Sequence, residues 1–484
     1  MTYLFSANTS VTNEVEVKND TGNPVPISGN VNVINRPDVT GNIVGNVTII
    51  SIPEVEIKND SGNAISISKN TSVNSDTNPI FVKGTSDTSF FAPTQTDSFG
   101  RLRVANPFTI FDNYFSVGDN EKRWSTSNTS GTTYYFESNI ACITMNVGTA
   151  SGDKVYRQTK QYFQYQPGKS LLTLNTFVMN SGKANLRQRV GYFDTQNGIF
   201  LENSNNANYI VKRSFTTGSV VETKVAQSAW SHDKLNGSGN SRINLDISKA
   251  QIFWTDVEWL GVGSVRAGFV IDGQFILCHQ FNHANIESNV YMTTATLPVR
   301  YEIENTGITA STSLMKHICN TVISEGGYAP SAITRSASTD LAGLNMSQTV
   351  FSPVLALRLK ADRYGQVVLP TKLDMFGLQN TPFVYKLIQN ANIIGGAWTS
   401  TGTDSVVEYN ANATTLGIGG FDLMQGMFVG GTGAQPLSVN LKEHNHSLQL
   451  RANITGSPEV FAVVVKATTN NDDALGSIAW EEYN

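Results

Sequence analysis

Apolar and polar residues alternate with a period of two through most of this 484-residue chain. That period puts successive side chains on opposite faces of a strand. The pattern is clearest in Gln251–Phe281. Gln251–Leu260 reads as a strand, with Phe253, Val257 and Trp259 on one face and Ile252 and Trp254 on the other. Gly261–Ser264 turns the chain, and Val265–Ile271 runs back. Asp272-Gly273 is the favoured pair for a two-residue type I′ turn, and Gln274–Phe281 returns to complete an antiparallel meander. Tyr134–Val147 predicts a strand pair. Lys160–Tyr165 predicts an aromatic strand stopped at Pro167-Gly168, with Leu171–Met179 as its partner. Arg187–Phe193 predicts a strand followed by a turn over Asp194–Gly198. Leu314–Glu325 fits spacings of four and of two, and a strand is favoured.

Ser331–Gln348 is rich in Ser, Thr and Ala and predicts a connector. Strands are then expected at Val354–Leu359, Pro382–Gln389, Val406–Tyr409, Ser438–Leu441, Ser447–Ile454 and Glu459–Thr468, with Gly417, Gly419, Gly420, Gly430, Gly431 and Gly433 in loops.

The first 96 residues differ from the rest. Residues 1–89 hold three aromatics, Tyr3, Phe5 and Phe81, in a chain with 6 Trp, 16 Tyr and 24 Phe. So few large rings bury little area. Val15–Ser28 (VEVKNDTGNPVPIS) recurs 40 residues later as Val55–Ser68 (VEIKNDSGNAISIS). Each copy alternates on both sides of an Asn-Asp-Thr/Ser-Gly-Asn turn, which predicts a short hairpin. An isolated hairpin is marginal in water. Such hairpins need stacking neighbours or identical chains, and a polar linker is the alternative.

Residues 97–112 join the two parts. Gly100 permits a turn. Leu102 and Val104 share one strand face, Arg101 and Arg103 the other, and Pro107 would end that strand. The stretch DSFGRLRVANPFTIFDNYF resembles a recurrent sequence in structural proteins of tailed bacteriophages, notably marine and cyanobacterial ones, and of some giant viruses. RQTKQYFQYQPGKS, WLGVGSVRAGFVIDGQFILCHQFNHAN and HICNTVISEGGY are similar to the same family, so the resemblance spans roughly residues 15–328. It implies a virion component with no assigned enzyme; the sparse cysteines fit assembly in the host cytoplasm, and the lack of a signal peptide fits release by lysis. The sheet of the meander also resembles those of concanavalin-like sandwiches.

The expected fold class is therefore all-β. It comprises a repetitive hairpin arm (1–96), a β-sandwich body (97–330) and a second, jelly-roll-like sandwich (331–484).

Composition narrows the function. Charged residues make up 15% of the chain, against about 25% in typical domains. The net charge is −5, and residues 1–96 carry five basic and nine acidic groups. No basic excess marks a nucleic-acid binder. The N-terminal residues lack the basic flank and apolar core of a signal peptide, and no 20-residue apolar run predicts membrane insertion. Cys142, Cys278 and Cys319 are too few and too odd in number for a disulfide framework.

Candidate chemistry is sparse. Cys278, His279, His283, His444 and His446 do not fit a zinc spacing, and a packed Cys with surface His residues is the favoured reading. Ser231-His232-Asp233 lacks a nucleophile elbow, and Gly417–Gly420 lacks the Lys of a phosphate loop. Asp256 and Glu258, about 6.6 Å apart along one strand face, have the spacing of a glycosidase carboxylate pair, as any i, i+2 acidic pair would. No catalytic residue, metal ligand or cofactor is assigned.

Trp398, Tyr409, Phe421 and Phe428 lie among Gly-rich loops and are the candidate glycan- or receptor-binding residues. The expectation is a non-enzymatic homotrimeric fibre, bound to other virion proteins through residues 1–96 and to a host-surface glycan through its β-rich knob. A decoration or cement protein and a glycan-degrading tail protein are the alternatives.

Overall fold

A computed structural model of the protein describes residues 106–442 and 448–483. The expected arm hairpins at Val15–Ser28 and Val55–Ser68, the junction glycine Gly100 and the histidines His444 and His446 lie outside the described residues. Those residues form an all-β structure of two sandwiches with two single-turn 3-10 segments, Gln227–Ala229 and Ala361–Arg363.

The first sandwich begins with β1 (Phe108–Tyr114), β2 (Trp124–Asn128), β3 (Thr133–Glu137), β4 (Cys142–Val147) and β5 (Lys154–Thr159). It continues with β6 (Ser170–Val178), β7 (Leu186–Phe193), β8 (Gly198–Ser204), β9 (Ala207–Ser214) and β10 (Val221–Ala226). It closes with β11 (Gln251–Val257), β12 (Val265–Ile271), β13 (Gln274–Phe281), β14 (Val299–Asn305) and β15 (Ser313–Glu325). One sheet has the order β13-β12-β11-β6-β15-β4-β3, with β1 added beside β15. The other runs β10-β9-β8-β7-β14-β5-β2. All pairings are antiparallel. Period-two alternation sends Phe253, Val257, Val265, Phe269, Val190, Tyr192, Val299 and Tyr301 into the shared core.

The second sandwich comprises β16 (Ile333–Ser338), β17 (Leu344–Met346), β18 (Ser352–Leu359), β19 (Val367–Gly377), β20 (Pro382–Gln389), β21 (Ile393–Ile394) and β22 (Thr399–Ser400). It continues with β23 (Val407–Asn410), β24 (Thr415–Leu416), β25 (Phe421–Val429), β26 (Leu437–Asn440), β27 (Phe461–Ala467) and β28 (Asp472–Tyr483). Its sheets run β16-β28-β19-β26, with β17 beside β28, and β22-β23-β18-β27-β20-β25. The small β21–β24 pair packs Ile393 and Leu416, with Trp398, on the outer face of the second sheet.

The sandwiches are firmly joined. Lys160 Nζ contacts Glu459 Oε1 at 2.6 Å with both side chains nearly buried. Gln449 Nε2 donates to the Tyr162 carbonyl at 3.0 Å, and Arg451 Nη1 to the Lys122 carbonyl at 2.6 Å. Tyr162 packs among Val367, Leu369 and Tyr483 of the second sandwich.

This joint explains one correction. Lys160–Tyr165 is not a strand and does not pair with β6; apart from a single bridge from Phe163 to Leu297, it is the connector whose aromatic side chains enter the core and the joint. β6 instead lies between β11 and β15. Ser331–Gln348 is not a plain connector, because its polar residues form two edge strands along β28. Leu448–Ile454 makes one bridge, Ala452 to Pro458, and no strand, since Arg451 and Gln449 turn to the first sandwich.

Candidate functional site

The four candidate aromatics do not form one surface. Phe428 is buried and stacks on Phe383 with ring centroids 4.9 Å apart. Tyr409 packs on the core of the second sandwich. The half-buried Trp398 is roofed by the Arg358 guanidinium, 4.0 Å from the ring centroid, and that guanidinium is in turn held by Glu408. Phe421 lies under the Lys122 ammonium of the first sandwich. These rings are packing elements, and no aromatic platform results. Of the turn residues, Pro107 stands immediately before β1. Asp272 and Gly273 have φ of 51° and 74°, the left-handed pair of a type I′ turn.

Buried charge concentrates on the outer face of the seven-stranded sheet. Alternate residues of β7, β8, β9, β10 and β14 bring Arg189, Glu202, Arg213, Glu222, Lys224, Arg300 and Glu302 together across the strands. Glu202 is fully buried and accepts from Arg189 Nε at 2.6 Å and Lys224 Nζ at 2.7 Å. Glu302 accepts from Arg300 Nε at 2.5 Å and faces Arg189 at 3.5 Å. Arg213 binds Glu222 at 2.8 Å. The guanidiniums also roof an aromatic floor, with Arg213 4.9 Å over Phe200 and Arg189 5.2 Å over the same ring.

Burial alone would raise these carboxyls. For Glu222 the charges of Arg189, Arg213 and Lys224 outweigh it and hold the group at about 2. For Glu302 burial is likewise outweighed, by Arg300, Arg189 and Arg213. Carboxylates held ionised by cations do not serve as proton donors, so this face is a structural clamp.

The carboxylates Asp256 and Glu258 belong to a different place, an open cleft of about 310 Å³ lined by Gly168, Lys169, Ser170, Asp256, Glu258, Leu260, Ser264 and Arg266. Asp256 projects from the outer face of β11 beside its cross-strand neighbour Arg266, whose Nε lies 3.1 Å from Asp256 Oδ2. Asp256 Oδ1 is buried and has no hydrogen-bond partner among the described residues. Glu258 stands just past β11, exposed, and its Oε2 accepts from Ser264 Oγ at 3.3 Å. Glu258 N also donates to the Ser264 carbonyl at 3.1 Å, closing the loop that Gly263 makes possible, since a Cβ there would meet the Glu258 carbonyl at 2.5 Å.

A third carboxyl joins them. Ser170 is flanked by Glu325 of β15 in the strand register. Burial, then the charge of Asp256, pushes the Glu325 carboxyl above its ordinary value. The cleft thus presents carboxylates, one ammonium, one guanidinium and two serine hydroxyls on the rim of a rigid sheet.

The histidines correct another expectation. His279 and His283 are buried, with 8% and 1% of their surface exposed, and so are not surface residues. His283 stacks on Tyr291 at 3.9 Å and its Nδ1 lies 2.6 Å from the Gly263 carbonyl. Burial lowers His279 to about 4, with His232 adding to it. Among the described residues no group of three or more His, Cys, Asp or Glu is placed to hold a metal ion. Cys142, Cys278 and Cys319 are free thiols.

No protein-family model matches the chain. No curated protein matches it either. Among solved structures it is similar to the carbohydrate recognition domain of Emp47p, at 12% identity and a TM-score of 0.30, over 48% of this chain and 100% of that one. It is similar to arcelin-5, a lectin-like defence protein from Phaseolus vulgaris, at 10% identity and a TM-score of 0.28, over 45% and 99%. A glycoside hydrolase family 16 endo-glucanase from Bacteroides ovatus gives 8% identity and a TM-score of 0.30, over 44% and 99%. At these scores the likenesses carry no functional weight.

Proposed function

We propose that the protein is a non-enzymatic structural protein of a tailed-phage virion, a trimeric fibre-like appendage. Residues 1–96 anchor it to other virion proteins, and the two-sandwich body meets a glycan of the host surface. The observation that carries the attachment role is the Asp256 cleft. Its volume of about 310 Å³ is at the small end of ligand pockets. Its lining offers acceptors from Asp256 and Glu258, donors from Lys169 and Arg266, and both from Ser170 and Ser264. That set fits a neutral polyhydroxylated ring, whose hydroxyls both donate and accept. Leu260, 52% exposed, gives the ring an apolar contact. A single such site is weak, and three copies on one particle multiply it.

The test is titration of purified host-surface polysaccharide into the full chain and its Asp256→Asn variant. A hydrogen bond to a charged group contributes about 1.5–3 kcal/mol. Loss of the Asp256 carboxylate should therefore weaken binding roughly 10- to 150-fold. Unchanged binding would remove the cleft from the account.

One observation favours a second reading, glycan cleavage: the Glu325 carboxyl, raised by burial and by the charge of Asp256, and the Arg266-paired Asp256 are two carboxyls in unlike surroundings. Polysaccharide that is shortened by the wild type and left intact by Glu325→Gln would replace the binding reading with this one.

A further inference from the structure

One edge of the first core holds a buried positive charge that makes no ion pair among the described residues. Arg157 projects inward from β5 and is 1% exposed. Its Nη1 donates to Thr126 Oγ1 at 2.8 Å and its Nη2 to the Asp119 carbonyl, both neutral acceptors. Among the described residues no carboxylate makes an ion pair with it. Burial lowers the Arg157 guanidinium to about 10, with Asp119 offsetting part of that, so it remains charged at neutral pH. Its positive charge lies 5.3 Å over the Trp124 ring and 5.5 Å over Phe115, which compensate it in part.

Around this charge stand polar groups that are equally buried and equally unsatisfied. Among the described residues, Arg157 Nε, Trp124 Nε1, Asn113 Nδ2 and Asn320 Nδ2 have no hydrogen-bond partner. Their residues are 1%, 2%, 4% and 4% exposed. They belong to one contiguous cluster. Asn113 lies opposite Asn320 across β1 and β15. Asn320 Oδ1 is 3.4 Å from His317 Nε2. The His317 ring is 4.4 Å from Trp124 and 4.7 Å from Phe115.

The donor orientations are constrained. Asn113 Oδ1 accepts from Asn120 Nδ2 at 2.8 Å, which leaves the Asn113 amide N–H groups pointing elsewhere. A His317 Nε2–H that donates to Asn320 Oδ1 leaves Nδ1 as an acceptor, and the buried Oδ1 of Asn175, opposite Asn320 across β6 and β15, is a second. Four N–H donors and a guanidinium charge against one imidazole lone pair and one amide oxygen leave an excess of donors and of positive charge. Buried polar groups are almost always satisfied, and a cluster left in this state points to a bound ion or water. Water accepts two hydrogen bonds and brings no charge, whereas a small anion accepts from several donors at once and neutralises the guanidinium.

We propose that this cluster binds one small inorganic anion of the halide class, as a structural ion locking β1 and β15 to β2 and β5. A ligand that binds only the folded state raises the melting temperature by mass action. The full chain should therefore melt higher in sodium chloride than in sodium gluconate at the same ionic strength, with a saturable shift. In a crystal soaked in sodium bromide, an anomalous peak should lie in contact with Arg157 Nε and Trp124 Nε1.

Asn320→Asp supplies the missing negative charge in place and should abolish the chloride dependence while leaving the chain folded. Arg157→Met removes the charge and should abolish the dependence as well, at a cost in stability. Equal melting in the two salts, with a peak that shows no anomalous signal and is therefore water, would overturn the proposal. So would a chloride dependence that survives unchanged in Asn320→Asp, since the stabilising ion would then lie elsewhere.

Discussion

Replacing Glu202 by Leu would test whether the charged face of the seven-stranded sheet is a clamp or a decoration. The Glu202 carboxylate is 1% exposed and takes two charge-assisted hydrogen bonds, from Arg189 and Lys224. At about 1.5–3 kcal/mol each, the pair of bonds comes to roughly 3–6 kcal/mol. Breaking a buried ion pair by removing one partner costs about 3–5 kcal/mol, because the other charge is stranded. Here Arg189, 6% exposed, keeps Glu222 at 3.2 Å and Glu302 at 3.5 Å, which places the expected loss near the lower figure.

For a sandwich of the size of Phe108–Glu325, each kcal/mol moves the melting temperature by about 2–4 °C. Scanning calorimetry should show the first sandwich melting about 6–12 °C lower. Arg189→Met alone should cost at least as much, because it leaves Glu202 with Lys224 alone and takes a cation from Glu222 and Glu302. The double variant removes both members of the Arg189–Glu202 pair, so it should be less destabilised than the sum of the two, with a coupling of about 1–3 kcal/mol. Additive single effects would refute the idea that these charges act as one unit.

The same face predicts acid lability. Glu222 titrates near 2 in the folded chain, well below its ordinary value of 4.5. A depressed carboxyl adds stability above its unfolded pKa that is lost as pH falls through the folded one. Calorimetry should therefore show stability declining between about pH 4.5 and 2, and Glu222→Gln should flatten that decline. Gly268 lies opposite Trp254, and a Cβ there would strike the Ile276 carbonyl and crowd the indole. Gly268→Ala should cost about 1–3 kcal/mol, read by urea denaturation. Phe428→Ala should destabilise the second sandwich by about 3–5 kcal/mol, whereas Trp398→Ala should leave polysaccharide affinity unchanged.

The fold was legible where a local rule decides it. The meander β11–β12–β13 follows from alternation plus Asp272-Gly273, and β15 from its period-two apolar positions. Strands whose local composition conflicts with tertiary pairing were missed. β19 carries Pro370 at an irregularity in its pairing with β28, which breaks the apparent strand. β25 carries Gly426 and was taken for loop, although Tyr385 packs where a Cβ would stand. β28 carries acidic residues at both ends of a run of small and apolar ones and gains its meaning only between β16 and β19. The charged clamp was invisible because Arg189, Glu202, Glu222 and Glu302 are brought together only by sheet order. The cleft was half visible: Asp256 and Glu258 stand close in sequence, while Lys169, Arg266 and Glu325 come from other strands and turns. For the aromatics of the C-terminal loops, position along the chain says little about burial. Phe428 packs inward from an edge strand.

The most direct test of the attachment role is a crystal structure of the full chain with an oligosaccharide of the host surface. The account predicts a sugar ring in the Lys169–Asp256–Arg266 cleft, with a hydroxyl donating to Asp256 Oδ1. Sugar bound instead at Trp398 or Phe421, with the cleft empty, would contradict it.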